Sequence, residues 1–224
     1  MTYIRKMEEL DEAYEAVEML RELDLPVSKE QLENINRLEK KNGTRHRDDL
    51  RLYFYEQSFA YYTKRISNIR QAKIHGEVIV AKPVLLLAII DGIDNGIFAS
   101  NQFVINDWLE GHYMMLMSKY AKPSQFDDLT GIEKPFWHLE SDGFWHLQYP
   151  GESLSKSCTP SKAWIKDNVS FAYLDEDLWF LLQNKAWRTR LRDYIIEHKL
   201  TDDSWSGLKV AESLSLLAAL VLAA

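Results

Sequence analysis

The sequence has 224 residues, 46% hydrophobic and 27% charged, which is typical of a globular domain and excludes a largely disordered chain. Its formal net charge of −7 excludes a uniformly basic surface, so a face that binds anions has to be a local patch. Cys158 is the single cysteine, which excludes an intrachain disulfide and a cysteine-based zinc site and predicts a reducing, cytoplasmic environment.

The N-terminal third of the chain is predicted to be helical. Apolar residues recur at helical spacing from Met7 to Leu23, and Pro26 ends this first helix. Ser28, followed three residues later by Gln31, has the spacing of a capping box, which predicts a second helix running to about Lys41.

A third helix is predicted from about Asp48. Its apolar residues alternate at spacings of three and four and form one stripe, made of Leu52, Tyr55, Phe59, Tyr62, Ile66 and Ile69. This stripe is expected to pack on the other helices or on a partner chain. The same region, from Arg37 to Lys73, has ten Lys and Arg residues against four Asp and Glu. These cations are interleaved with tyrosines, a mixture that suits either contact with a nucleic acid or ordinary helix packing.

After Gly76 the sequence becomes richer in β-branched and apolar residues. After a short β-branched run, Lys82 and Pro83 open the most apolar helix of the chain, and proline suits a first helical turn because its missing N–H has no intrahelical partner there. This helix is apolar on nearly all sides, so it is expected to lie at the centre of the core.

A short strand and another helix follow. Residues 101–104 are predicted to form the strand, and Asn106 or Asp107 is expected to cap the helix. This helix carries an apolar face and ends before Pro123.

The clearest local signal is a repeat. Residues 136–139 and 144–147 both read Phe-Trp-His-Leu, and Asp142 and Gly143 lie between them. Asp-Gly between strand-like segments is a strong signal for a hairpin turn, so the sequence predicts a β-hairpin over Phe136–Leu147. Both faces of this hairpin carry apolar side chains, which predicts that it is covered on both sides.

The C-terminal third is predicted to be a loop followed by helices. Residues 149–167 contain Pro, Gly and Ser and are expected to be a loop. Asp175 is expected to cap a helix that runs to about Gln183, and residues 184–200 form an amphipathic helix. The apolar segment 214–224 is shorter than the roughly 20 residues of a membrane-spanning helix, so it is either a packed terminal helix or a truncated or frame-shifted end.

These patterns predict an α+β fold that is mostly helical and contains one short β-hairpin. A winged-helix-like core is one fold of this kind. Three parts are expected along the chain. Residues 1–75 form a helical N-terminal extension, residues 76–200 a central domain, and residues 201–224 a C-terminal tail or helix.

Several motifs carry a family resemblance. The segments are Lys82–Ala88, Pro135–Leu139, Ser141–Trp145, Leu174–Trp179 and Arg188–Tyr194. In this order they resemble the DNA-recognition, sulfur-binding-like domain that precedes HNH nucleases in phosphorothioate-dependent and related restriction enzymes. The resemblance covers roughly residues 78–200.

The resemblance implies a mostly helical module that binds DNA and reads a sulfur-modified backbone through an apolar pocket with basic surroundings. Phosphorothioate readers typically have Tyr where this chain has Lys134, and His138 stands where a small or different residue is expected in the sulfur pocket. Lys119 and Lys122, at the end of the helix after Asn106, complete the expected phosphate contacts. The predicted DNA-binding residues are Lys119, Lys122, Lys134, Pro135, Phe136, Trp137 and His138.

No catalytic motif is evident in the sequence. It contains no Gly-x-Ser-x-Gly, no phosphate-cradling glycine loop and no His-Glu-x-x-His, and only 24 residues follow Leu200, where the family has its HNH segment. His138 and His146 are expected on opposite hairpin faces, which disfavours a shared metal. We therefore expect no catalytic residues, no metal and no cofactor.

The expected function is that of a DNA-binding module of a restriction or defence system, without a nuclease of its own, sensing modified or specific DNA. The alternative is a helical protein–protein interaction or assembly protein that uses the apolar stripe of the third helix. The acidic net charge favours the alternative, and the motifs favour the first function. Expected partners are DNA, with or without a backbone modification, a nuclease and further copies of this chain, but no membrane.

Overall fold

The computed structural model describes residues 3–42, 48–74, 76–122, 129–151 and 160–201. Its α-helices are α1 (Tyr3–Glu22), α2 (Lys29–Asn42), α3 (Asp48–Ser67), α4 (Ala81–Asp94), α5 (Asp107–Tyr120), α6 (Glu133–His138), α7 (Lys162–Asn168), α8 (Glu176–Gln183) and α9 (Lys185–Ile195). Its strands are β1 (Lys73–Ile74), β2 (Glu77–Val78), β3 (Trp145–Gln148) and β4 (Phe171–Leu174). The predicted α+β, mostly helical class is confirmed. Pro123, Cys158 and the predicted tail from residue 202 onward lie outside the described residues.

The N-terminal helices begin as local sequence signals predict. The backbone N–H of Ser28 donates to Gln31 Oε1 at 2.9 Å, and the N–H of Gln31 donates to Ser28 Oγ at 3.2 Å, so the capping box at the start of α2 is formed. A small apolar cluster holds α1, α2 and the start of α3 together, made of Val17, Val27, Leu32, Ile35, Tyr53 and Phe54.

Helix α3 joins this N-terminal cluster to the main core. Tyr62, Ile66 and Ile69, from the predicted stripe, are buried in the main core, whereas Leu52 at the other end is 50% exposed. Most of the stripe therefore packs within the chain itself, which was one of the two expectations for it.

Helix α4 occupies the centre of the main core, as its apolar composition predicts. Val84, Leu85, Leu87 and Ala88 have no exposed surface. The helix has 14 residues, and across the described ranges no helix is long and apolar enough to cross a bilayer.

A short β-hairpin is present, but not where the sequence predicts it. Strands β1 and β2 pair antiparallel, with Lys73 opposite Val78 and Ile74 opposite Glu77. Gly76, in the turn, has a φ of +83°, a conformation that favours glycine.

The hairpin predicted over Phe136–Leu147 is wrong. Its first arm is helix α6 continued by a 3₁₀ turn at Leu139–Asp142, and its second arm is strand β3. Pro135 explains part of this difference, because proline suits the first turn of a helix and cannot donate to a strand ladder. The wing that a winged-helix-like core needs is therefore not formed by these residues.

Strand β3 pairs instead with β4, a strand that the sequence analysis did not predict. Trp145 lies opposite Leu174 and Gln148 opposite Phe171 in an antiparallel register. The predicted strand at 101–104 is reduced to one bridge, in which Phe103 and Ala172 exchange hydrogen bonds of 2.7 and 2.8 Å.

The sequence predicts the start of α5 but not that of α7. Asn106 caps α5, because its side chain accepts the N–H of Leu109 at 2.8 Å. Helix α7 lies almost entirely within the segment 149–167 that was predicted to be a loop, and Ser161 Oγ caps it by accepting the N–H of Trp164. The loop prediction is wrong over these residues because a single capping serine is a weak signal in a segment that also contains two prolines and a glycine.

A buried carboxylate ties three helices of the core together. Asp91 on α4 accepts Arg192 Nε of α9 at 2.7 Å and lies 2.9 Å from His112 Nε2 of α5. The hydrogen bond to Asp91 raises the pKa of the Arg192 guanidinium above its ordinary value. Asp91 is thus buried with charged and polar partners. Without them, burial of its carboxylate would destabilise the folded chain.

Candidate functional site

The two predicted aromatic site residues, Phe136 and Trp137, lie inside the core. They are 1% and 5% exposed. Phe136 meets Trp145 edge-to-face with 5.3 Å between ring centroids, and Trp137 meets Trp164 in the same way at 5.6 Å. Their rings anchor α6 and thereby fix the position of its other face.

The other face of α6 borders two adjacent surface cavities of about 540 and 390 Å³, which share Arg70 and Ser141. We call them together the basic groove. Its charged lining residues are Lys64, Arg65, Arg70, Lys82, Lys134 and Asp142. Its apolar lining residues are Ala72, Ile74, Ile79, Ala81 and Pro135. The groove therefore has both cationic and apolar lining residues.

Four parts of the chain meet at the basic groove. The end of α3 supplies Lys64 and Arg65, and Arg70 follows it. The start of α4 supplies Lys82, and α6 supplies Lys134. The hairpin β1–β2 contributes to the apolar lining. The groove thus includes cations of the basic stretch 37–73 together with the residue that precedes the Pro-Phe motif.

Asp142 holds the basic groove together. Its Oδ2 lies 2.6 Å from Lys82 Nζ, and the two side chains are 5% and 12% exposed. Its Oδ1 accepts the backbone N–H of Arg70 at 3.2 Å, and Arg65 Nη1 donates to the carbonyls of Asp142 and Gly143 at 3.3 and 3.2 Å. One carboxylate therefore fixes the end of α3, the start of α4 and the turn after α6.

Gly143 sits beside this network in a conformation that only glycine adopts without strain. Its φ is +79°, and a Cβ built on it would lie 2.7 Å from Arg65 Nη1. The Asp142-Gly143 signal therefore marks a turn, as predicted, but the turn connects a helix to a strand.

His138 lines the larger cavity and faces its cations. Burial, and then the nearby Lys82 ammonium, lower the pKa of the His138 imidazole below its ordinary value. The ring is therefore neutral at pH 7, and it gains a proton more readily when an anion lies beside it.

The structure brings together some of the predicted site residues and not others. Lys134, Pro135 and His138 line the basic groove. Lys119 lies at the end of α5, with its Nζ 5.0 Å from the centroid of the Tyr120 ring, and Lys122 follows that helix. The residues lining the groove do not include these two lysines. Lys82 was not selected as a site residue, although its position before Pro83 at the start of α4 was evident in the sequence.

The histidines of the Phe-Trp-His-Leu repeat have different environments. His138 faces the basic groove, whereas His146 on β3 has its Nε2 2.6 Å from Asp175 Oδ1. Within the described ranges, no group of three or more His, Cys, Asp or Glu side chains is placed to hold a metal ion.

Comparison with known proteins gives no family assignment. No protein-family model matches the sequence, and no curated protein matches it at a significant level. The resemblance to the DNA-recognition domains of restriction enzymes therefore stays a prediction based on the motifs.

Proposed function

We propose that this chain binds DNA through the basic groove, as a cytoplasmic DNA-binding module of a restriction or defence system. The observation that carries the proposal is the concentration of cations in this groove. Five Lys and Arg residues line it against one carboxylate, on a chain whose net charge is −7. Such a local excess suits phosphate contacts, which supply most of the affinity of proteins for DNA.

The exposure of these cations supports contact with a phosphate backbone. Lys64, Arg70 and Lys134 are exposed, so their charges reach solvent and any ligand in the groove. Lys82 is paired with Asp142, which leaves it a smaller part in binding. The three exposed cations come from different parts of the chain, so they can follow successive phosphates.

The apolar lining supports a preference for a modified backbone. Pro135, Ile79 and Ala81 line the same cavity as Arg70, Lys82 and Lys134. A sulfur atom in place of a phosphate oxygen is larger and less hydrated than oxygen, so it loses less by leaving water for an apolar surface. We therefore propose that a phosphorothioate linkage is one DNA modification that the groove accepts. A nuclease that acts with this module and self-association are further parts of the proposal.

The alternative function, a helical assembly protein, relies on the apolar stripe of α3. Tyr62, Ile66 and Ile69 of that stripe are covered by the chain itself, so they are not available to a partner. Measured binding of the chain to DNA separates the two functions.

Replacing Lys64, Arg70 and Lys134 together with alanine is expected to weaken binding to a plain DNA duplex and to make it less dependent on salt. If each residue contacts one phosphate, the slope of log K against log salt should change by about 2.7. Fluorescence anisotropy with a labelled duplex at several salt concentrations measures this slope. A duplex with phosphorothioate linkages, run in parallel, tests the preference for sulfur.

The control variant replaces three exposed lysines outside the groove, Lys40, Lys166 and Lys185, which removes the same charge. It should leave the slope nearly unchanged. A separate variant of Lys119 and Lys122 shows whether the contact extends to the end of α5. Equal slopes for the groove and control variants, or no binding of either duplex by the native chain, would reject the proposed function.

DNA binding is also expected to strengthen as the pH falls. His138 is neutral at pH 7 because its pKa is lowered, and a phosphate beside it would raise that pKa in the complex. Binding then takes up a proton, so affinity should rise as pH falls through the pKa of the bound state and level off below that of the free state. The total gain in DNA affinity is about tenfold for each unit by which the pKa of His138 in the complex exceeds its pKa in the free chain. Anisotropy between pH 8 and pH 5.5 at constant ionic strength measures it.

The control for this prediction is His138→Asn, which keeps a polar side chain that does not titrate. Its affinity should vary less with pH than that of the native chain. Identical pH profiles for the two proteins would show that His138 does not meet a phosphate.

A further inference from the structure

A second cavity lies on the other side of Tyr61, away from the basic groove, and has the opposite charge. It has a volume of about 460 Å³ and lies where the start of α2, the middle of α3 and the start of α8 meet. Its polar lining consists of Gln57, Ser58, Tyr61 and Tyr62 together with three carboxylates, Asp175, Glu176 and Asp177. We call it the acidic cavity. Its size is within the range of small-ligand sites.

Two of its carboxylates are paired by the protein. Asp175 was predicted to cap α8, but its carboxylate forms no capping bond and instead accepts the Tyr62 hydroxyl at 3.2 Å and meets His146 at 2.6 Å. Glu176 accepts Lys29 Nζ at 2.8 Å. These contacts hold both side chains in place at the wall of the cavity.

Asp177 has fewer hydrogen-bond partners than Asp175 and Glu176. Its Oδ1 accepts one backbone N–H, that of Lys29, at 3.0 Å. Burial, and then the neighbouring carboxylates of Asp175 and Glu176, raise the pKa of Asp177, although the contacts with Lys29 oppose this rise. The carboxylate is thus partly removed from water beside two like charges, an arrangement that a bound cation would stabilise.

Ser58 gives independent support for a ligand. It lines the acidic cavity and is only 7% exposed, yet its hydroxyl has no hydrogen-bond partner among the described residues. Two other hydroxyl residues of α3 behave differently, since Thr63 donates to the carbonyl of Phe59 at 2.7 Å and Ser67 to that of Thr63 at 2.9 Å. Its Oγ is not itself fully buried, so it reaches the acidic cavity, where a ligand can supply the hydrogen bond that the protein does not.

We infer that the acidic cavity binds a guanidinium or alkylammonium group, with Asp177 as its counter-ion and Ser58 Oγ as a hydrogen-bond acceptor. A cation satisfies both groups at once. A neutral or anionic ligand would leave the three carboxylates facing one another, paired only by Lys29 and His146. The group can come from a free amine or from an arginine side chain of another protein.

The test uses agmatine, a dication with one guanidinium and one ammonium group, as the cationic probe, and butylurea as a neutral compound with a similar planar head and butyl stem. Agmatine should bind the full chain saturably, as measured by calorimetry, and butylurea should not. Ser58→Ala removes a hydroxyl that has no partner, so it should fold as the native chain does and bind agmatine about tenfold more weakly. Asp177→Asn keeps the Oδ1 acceptor for Lys29 and should weaken binding by at least as much.

The matched control is Glu197→Gln, which removes one exposed negative charge outside the acidic cavity and should leave agmatine binding unchanged. An acetylated and amidated arginine peptide distinguishes the two sources, since tighter binding than that of agmatine indicates a protein side chain and weaker binding a free amine. Equal binding of agmatine and butylurea, no binding of agmatine, or native binding by the Ser58 and Asp177 variants would overturn the inference. DNA binding through the basic groove is unaffected by any of these outcomes.

Discussion

Replacing Trp145 with alanine is expected to lower the free energy of unfolding by about 3–5 kcal/mol. Trp145 is fully buried, stacks on Phe103 with 5.6 Å between ring centroids and meets Phe136 edge-to-face. Its indole N–H also donates to the carbonyl of Phe136 at 2.9 Å. Alanine leaves a cavity between the β3–β4 sheet and α6 and removes this hydrogen bond. Urea unfolding followed by circular dichroism measures the loss.

Trp145→Phe is the companion variant, because it keeps most of the ring and removes the N–H donor. Its loss should be about 1–3 kcal/mol, smaller than that of the alanine variant. Trp164→Ala serves as a second control. Because Trp164 is only partly buried, this variant should lose less unfolding free energy than Trp145→Ala. A loss below about 1 kcal/mol for Trp145→Ala would contradict the packing of β3 against α6.

The helices that the sequence predicts well begin with short-range signals. The capping box of Ser28 and Gln31 and the Asn106 cap of α5 each involve residues three apart, so the sequence itself contains both partners. The burial of α4 follows in the same way from its composition. Such features depend little on the rest of the fold, and this is why they were predicted.

The failed hairpin shows what local sequence does not contain. The first copy of Phe-Trp-His-Leu, at 136–139, is helical, whereas residues 145–147 of the second copy lie in strand β3. The second copy is a strand because its partner is β4, which lies more than 20 residues further along and was not recognised. Tertiary pairing therefore decided between two structures that the sequence pattern does not distinguish.

The candidate site was predictable only in part, for the same reason. The motif around Pro135 indicated Lys134 and His138, which line the basic groove. The pair formed by Lys82 and Asp142 joins residues 60 positions apart, so no spacing rule reveals it. The contacts of Asp175 with Tyr62 and His146 are equally remote in sequence, and they replaced the cap that was predicted.

Replacing Asp142 with alanine is expected to cost about 3–5 kcal/mol of unfolding free energy. The change leaves the Lys82 ammonium, whose side chain is 12% exposed, without its counter-ion and removes the acceptor for the N–H of Arg70. The double variant Lys82→Met with Asp142→Leu removes both charges and should recover most of the loss, because the penalty comes from the unpaired charge. Urea unfolding of the single and double variants measures this coupling.

Asp142→Asn separates the role of this carboxylate in stability from its role in the proposed DNA binding. The amide oxygen can still accept the N–H of Arg70, but the negative charge opposite Lys82 is lost. Stability should therefore fall, while DNA affinity at low salt should rise, because the basic groove gains one positive charge. If Lys82 then reaches a phosphate, the salt slope steepens by at most about 0.9. A simultaneous loss of stability and affinity, measured well below the unfolding temperature, would show that Asp142 positions the groove cations more than it neutralises them.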